Sequence, residues 1–361
     1  MKKRFLVFGG IFIVSLVVLL VGTILFAAKK TVVKEEFKVG LILNGGHDDR
    51  GLSEVHYDPL YNIIKRKHMV LEYFENVPVD STACDKMEEL IRDGCSLIVL
   101  DSAFYEAYAR SVSIEHPDVN FICFYGNSYM DNFLTFAGRL YQAHYLTGIV
   151  AGLQTESNCI GFCSQNMDPI LITGINAFTI GVKKVNPEAK VYVKISDGDI
   201  NEKDALDLIN NRNVDILACD GVNDSVLKVA EENNVWSIGM HFDNSDRYPN
   251  TFLTGALLDF RDFYGDQISR CERGIFAGET LNIGIDDNAV DIVPLTRHVK
   301  SGIARVVEQE RKLMKERKFD VFYGPIIDTK GDIRVNSFES IPDKEVLYNQ
   351  DWFVSGVVID E

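Results

Sequence analysis

The run from Gly138 to Pro187, GRLYQAHYLTGIVAGLQTESNCIGFCSQNMDPILITGINAFTIGVKKVNP, constrains the fold more than any other part of the chain. Tyr141, Tyr145 and Ile149 recur at four-residue spacing, and Ala143, Thr147 and Ala151 form a second row of small residues. Small rows let a helix sit close to a sheet, so this spacing predicts a helix buried on one side and pressed against strands. Ile160–Phe162 reads as a short β-branched strand and Ile170–Val185 as a second helix. Asn186-Pro187 stops that helix, because proline disfavours the α conformation in the residue before it. Lys190–Ile195 then alternates as a strand does. Strand, helix and strand in that order make a βαβ unit of a parallel sheet.

The same rhythm runs to either side. Strands are expected at Val39–Leu43, Met69–Phe74, Ser96–Asp101 and Val119–Tyr125, separated by helices at Glu54–Lys67, Ser81–Arg92 and Ala103–Ile114. The unit from Gly138 closes this first set, and a new sheet begins at Ile160. There the pattern predicts helices at Lys203–Asn210 and Ser225–Asn233 and strands at Val214–Cys219 and Val235–Met240. Beyond these come an extended run at Phe252–Leu258, a helix around Phe260–Gly274, a strand near Leu281–Ile285, a helix at Gly302–Arg317 and a closing element at Asp351–Val357. Alternation with short connections signals doubly wound parallel sheets. A chain of 361 residues has room for two such α/β lobes with a cleft between them. In open α/β sheets, ligands bind beyond the carboxyl ends of the strands.

The N-terminus has a different character. Phe5–Ala28 carries no charge, and as a helix it would span about 36 Å, enough to cross a bilayer. Lys2, Lys3 and Arg4 precede it and should stay cytoplasmic. The run exceeds the ~7–15 apolar residues of a cleaved signal and ends without a small-x-small site. It is therefore expected to be an uncleaved single-pass anchor in the cell membrane, with everything after Lys30 outside the cytoplasm. Secretion after signal cleavage is the alternative.

A net charge of −16 argues against a nucleic-acid partner, which requires a basic face. Seven cysteines are an odd number, so at least one is unpaired or pairs between chains. Most lie inside apolar runs, as small core hydrophobes do. No nucleophile elbow, phosphate-binding loop or zinc-protease motif is present, so neither catalysis nor a cofactor is expected. His47-Asp48-Asp49 reads as a solvated turn rather than a metal site.

Several segments together resemble the basic membrane protein family of ABC-transporter substrate-binding proteins, also called the purine-nucleoside receptor family. They are Gly51–Tyr57, Gly138–Gln142, Tyr145–Gly152, Gly174–Phe178, Val185–Pro187, Tyr323-Gly-Pro325, Gly331 and Trp352–Gly356. The resemblance implies two Rossmann-like lobes joined by a hinge of crossing segments, the type I periplasmic-binding-protein arrangement. It also implies a small ligand, a purine nucleoside or nucleobase, enclosed by closure and passed to an ABC permease. The lobes are then expected to comprise residues 37–152 with about 250–282, and 153–249 with about 283–361.

A nucleoside site needs aromatic faces for the base and acceptors for buried hydroxyls. The loop after the first strand offers Asn44, Asp48, Asp49, Leu52 and Ser53, with Leu52 where relatives usually carry an aromatic. The loop after the third strand offers Asp101, Ser102 and Phe104. Asp101 suits either a ribose acceptor or a helix cap, and Phe104 either a stacking face or core. Tyr125 ends the next strand. In the second lobe, Asp220, Asn223 and Asp224 follow one strand and His241, Phe242 and Asp243 the next. The loop Ser196–Asn201 lacks the aromatic that relatives place there, and the lysine some members carry near Thr254 is absent. With both aromatic walls altered and no lipidation cysteine after the apolar run, an alternative function is a membrane-anchored sensory ectodomain acting through a partner signalling protein.

Overall fold

Two parallel sheets carry the fold, and their inner strands are near-continuous buried runs because helices cover both faces. The computed structural model describes residues 36–196, 198, 200–221 and 224–360. The anchor expected at Phe5–Ala28 and the candidate ligand residue Asn223 lie outside the described residues. No described helix is long and apolar enough to cross a membrane.

The first sheet is built from β1 (Lys38–Ile42), β2 (Val70–Phe74), β3 (Cys95–Leu100), β4 (Asn120–Phe124) and β5 (Phe133–Gly138). Helices α1 (Leu52–Lys67), α2 (Ser81–Arg92) and α3 (Glu106–Glu115) connect its strands. Helices α4 (Tyr141–Gln154) and α5 (Pro169–Val185) flank β6 (Cys159–Ser164). Next come β7 (Lys190–Ile195), α6 (Glu202–Arg212), β8 (Ile216–Asp220), α7 (Ser225–Asn233), β9 (Trp236–Met240) and β10 (Phe252–Leu258). Helix α8 (Arg261–Glu272) and β11 (Thr280–Ile283) return to the first sheet, whose order is β11-β5-β4-β3-β1-β2. The chain continues through β12 (Val290–Ile292), α9 (Ile303–Lys315), a hairpin of β13 (Ile326–Ile327) and β14 (Ile333–Val335), α10 (Asp343–Tyr348) and β15 (Val357–Ile359). The second sheet runs β12-β10-β9-β8-β6-β7-β15, with β12 antiparallel at its edge.

Three expectations are corrected. β10, grouped by sequence with the first lobe, pairs with β9 in the second sheet. β5 was not anticipated, and α4 does not close the first lobe. It packs on α5 and against β10 and β12. Its small residues therefore approach a helix: a Cβ at Gly148 would lie 2.0 Å from the Phe178 carbonyl oxygen, and one at Gly181 2.1 Å from that of Tyr145. The lobes are residues 38–138 with 261–283, and 141–258 with 290–360, and the chain crosses between them three times. Periodicity reports which face of an element is apolar, not which sheet that face meets. All seven cysteines are free thiols.

One buried side chain of the second lobe makes three hydrogen bonds to the C-terminal segment. Asn176 donates to Gln350 Oε1 (2.9 Å) and to the Trp352 carbonyl (2.8 Å), and accepts the Val354 N–H (2.9 Å). Asn176→Ala leaves buried partners unpaired, and we expect a loss of about 2–4 kcal/mol in urea unfolding. Faster proteolysis near residues 349–356 should accompany it. Unchanged stability would mean that the tail is held by its strand pairing alone.

Candidate functional site

The carboxyl ends of the two sheets face one another. A cavity of about 390 Å³ lies between Asp48, Asp49 and Arg50 of the loop after β1 and Asp224, Phe242 and Asn244 of the loops after β8 and β9.

On the first lobe, most of the expected ligand residues turn out to shape the loops. Asp101 accepts the Asn44 N–H (3.1 and 2.9 Å) and the Ser53 hydroxyl (2.7 Å), and Ser53 Oγ accepts the Gly45 N–H (2.9 Å). Asp101 is thus not the helix cap. It buckles the β1–α1 loop, and burial pushes its pKa up to about 6 against the pull of those donors. The cap on the following 3-10 turn, Ala103–Tyr105, is Ser102, whose Oγ accepts the Phe104 N–H. Asp49 accepts the Gly51 and Glu54 N–H groups (2.7 and 3.3 Å) and so caps α1. Asn44 donates its amide to the Tyr105 hydroxyl (3.4 Å). Leu52 opens α1 half-buried and Asp48 is exposed at the cavity rim. Phe104 is 71% exposed, so it is not core. Tyr125 donates its hydroxyl to the Gly138 carbonyl (3.3 Å). Burial raises its phenol pKa, and the charges of Tyr348, Asp220 and Asp168 raise it further.

On the second lobe, β9, β8 and β6 lie side by side. Their ends carry three buried polar residues, His241, Asp220 and Ser164, and the last two are direct neighbours in the ladder. Two further histidines are buried, one on each lobe. His144 comes from α4, with Nε2 3.6 Å from Asp220 Oδ2. His56 comes from α1, its Nδ1 2.5 Å from the Tyr264 hydroxyl and its ring against Phe124 (4.6 Å) and Phe260 (5.1 Å). His56 Nε2, His144 Nε2, both His241 ring nitrogens and Ser164 Oγ are buried without a hydrogen-bond partner among the described residues.

Burial lowers the pKa of His56 and His144 to about 3 and of His241 to about 4. Charge on His241 would lower the first two further, so the three rings share one electrostatic neighbourhood. All three are neutral at pH 7, each offering one donor and one acceptor. The His144–Asp220 pair is then no ion pair, and 3.6 Å is too long for a hydrogen bond. Burial, with Asp168 second, pushes Asp220 up to about 7. No lysine or arginine is fully buried among the described residues. No described group of His, Cys, Asp or Glu could hold a metal ion. Such a set of groups suits an uncharged ligand with several donors and acceptors, because buried polar atoms are costly until they are paired.

Asp220 and His241 therefore lie at the ends of neighbouring strands, β8 and β9, while Asp243 turns away. Its carboxylate accepts the Ser245 N–H (2.9 Å) in a turn that opens on a separate cavity of about 360 Å³. Asp224 pairs with Arg247. Sequence reasoning passed over Arg50, His56, His144, Ser164 and Asn244. The available signal was a histidine inside each of two glycine-punctuated helical motifs, Gly51–Tyr57 and Gly138–Gly152.

Residues 37–321 match the family described as ABC transporter substrate-binding protein, PnrA-like. A purine-binding protein of Brucella abortus is 24% identical over 90% of this chain and 93% of its own length. An ABC-transporter solute-binding protein from Conexibacter woesei superposes with a TM-score of 0.69 at 17% identity, covering 79% of this chain and 98% of that one. A transcriptional activator from Bacillus halodurans does so with a TM-score of 0.68 at 23% identity, covering 77% and 98%. Both likenesses show the shared fold.

Proposed function

The chain belongs to the PnrA-like family of ABC transporter substrate-binding proteins, and on that premise we propose that it captures an uncharged purine nucleoside or nucleobase between its lobes for an ABC permease. The observation that carries this reading is the set of orphaned buried atoms contributed by both lobes: His56, His144, Ser164 and His241. A heteroaromatic ligand with in-plane donors and acceptors would pair them as the lobes close, which is how differential affinity selects a closed state. The absence of a fully buried cation among the described residues favours an unphosphorylated ligand. The purine-binding relative from Brucella abortus points to the same ligand class. The uncharged run Phe5–Ala28 would tether the protein at the cell membrane with its lobes outside the cytoplasm.

Isothermal titration of the full chain with adenine, hypoxanthine, adenosine, guanosine and glucose tests the reading. We expect a micromolar or tighter Kd, about −8 kcal/mol or better, for at least one purine. No heat with any purine removes the purine assignment, and heat with glucose alone reassigns the ligand to sugars. In the same titration His241→Ala should weaken the binding purine about 10- to 100-fold while unfolding stays cooperative. An unchanged Kd would put His241 outside the site.

A further inference from the structure

Arg50, in the wall of the cavity, makes a contact that runs from one lobe to the other. It lies in the β1–α1 loop of the first lobe. Its guanidinium crosses the cleft, where Nη2 donates to Asn244 Oδ1 at 2.7 Å and the carbon sits 4.8 Å from the centroid of the Phe242 ring. Arg50 adopts a left-handed backbone (φ 54°), uncommon for a residue with a Cβ. The loop enforces it: the Arg50 N–H donates to Glu54 Oε2 (2.8 Å), and Asp49 binds the two flanking amides of Gly51 and Glu54. Strain of this kind persists where surrounding structure over-determines it, and it concentrates at functional positions.

The receiving side is equally fixed. Asn244 is 4% exposed, and its Nδ2 donates to the Phe242 carbonyl (3.2 Å), which leaves Oδ1 for the guanidinium. The Asn244 carbonyl in turn accepts the Arg247 and Tyr248 N–H groups (3.1 and 2.9 Å). Both partners are thus held before they meet, so little ordering entropy is lost on contact. Another polar contact across the lobes, Tyr348 hydroxyl to the Gly126 carbonyl, is longer at 3.5 Å. The Arg50 contact is charge-assisted and stacked, the stronger class on both counts.

We propose that Arg50 is a latch that holds the lobes closed and sets the fraction of closed protein before any ligand arrives. It acts as a positioning residue: it brings the two lobes together and need not touch the ligand. Its removal should lower the closed-to-open ratio about tenfold.

The test uses ligand-free full chain. Hydrogen exchange is followed over residues 44–53 and 241–248, and small-angle scattering gives the radius of gyration. Arg50→Ala and Asn244→Ala should each raise exchange in both segments about tenfold and enlarge the radius of gyration. The double variant should go no further than either single one, because the two residues make one contact. Arg50→Lys, which keeps charge but loses the planar stack, should fall between. Glu188→Ala, exposed in the turn before β7 and outside the cavity, should behave as wild type. Wild-type exchange and radius in both single variants, or effects that simply sum in the double, would overturn the latch. Because no ligand is present, this outcome is independent of whether a purine binds.

Discussion

Gly148→Ala costs the protein about 3 kcal/mol or more in urea unfolding. The added Cβ meets the Phe178 carbonyl oxygen at 2.0 Å, and the nearby backbone atoms at 2.8 and 3.0 Å. Backbone cannot step aside as the far end of a side chain can, so α4 and α5 must separate. Nearly every residue of α4 is buried, so that movement also disturbs its packing on β10 and β12. Overpacking a well-packed interior typically costs about 1–3 kcal/mol, and a clash with backbone falls at or above the upper end. Gly181→Ala meets the Tyr145 carbonyl at 2.1 Å and should cost as much. The double variant should lose less than the sum, since one separation relieves both clashes. Gly265→Ala is the control: it lies inside α8 with nothing within 4 Å of the added carbon, so a gain of about 0.5–1 kcal/mol is expected. A loss below about 1 kcal/mol for Gly148→Ala would mean that the helices are not in contact as described.

That close approach also marks the limit of what the sequence discloses about the fold. The rows Ala143-Thr147-Ala151 and Tyr141-Tyr145-Ile149 say that α4 is buried and narrow, but a helix and a sheet can both accept a narrow face. α2 and α7 were delimited to the residue, because Asp80 and Asp224 stand at their N-caps and the apolar spacing that follows is regular. β5 was missed. Phe133–Gly138 is buried at every position and has no alternation to separate it from a loop rich in aromatics. β10 was legible as a strand, but its sheet was not, since sheet membership depends on where the chain crosses the hinge.

The site was legible in the same partial way. The loops after strands do carry Asp220, His241 and Tyr125, which end β8 or follow β9 and β4. Asp49, Ser53 and Asp101 were read as ligand groups because acidic and hydroxyl residues in a glycine turn serve binding and capping with the same chemistry. Only their bonds to Asn44, Gly45, Gly51 and Glu54 separate the two roles. His56 and His144 were opaque for the opposite reason. Each sits one helical turn inside an amphipathic pattern, and a neutral histidine there looks like an ordinary core residue until the third histidine, 97 positions on from His144, arrives beside it.

The buried carboxylate among those histidines leads to the second large effect. Asp220→Asn should stabilise the ligand-free protein by about 2–4 kcal/mol at pH 8 and at the same time weaken purine binding. Asp220 has its pKa raised from 3.8 to about 7 on folding, chiefly by burial. A group raised in this way contributes its stability below the unfolded value, and that contribution is lost as pH rises through the folded one. The advantage of asparagine should therefore grow from about pH 4 to about pH 7 and then level off. The histidines act in the opposite sense. Their folded values of about 3, 3 and 4 lie below 6.5, so their contribution is complete above pH 6.5 and falls away in acid. Between pH 4 and 6.5, three histidines work against Asp220 and Asp101, a net of about one proton and about 1.4 kcal/mol per pH unit. Removing Asp220 leaves about two, so the asparagine variant should lose stability in acid roughly twice as steeply. Urea unfolding of both proteins at pH 5, 6, 7 and 8 reads the slopes directly. Equal stability at pH 8 would mean that Asp220 ionises at no cost and is already paired. A more stable variant that binds purine as tightly as wild type would sink its role as a ligand group. A more stable variant with weakened binding identifies the carboxylate as a group held at a thermodynamic cost until the ligand pairs it.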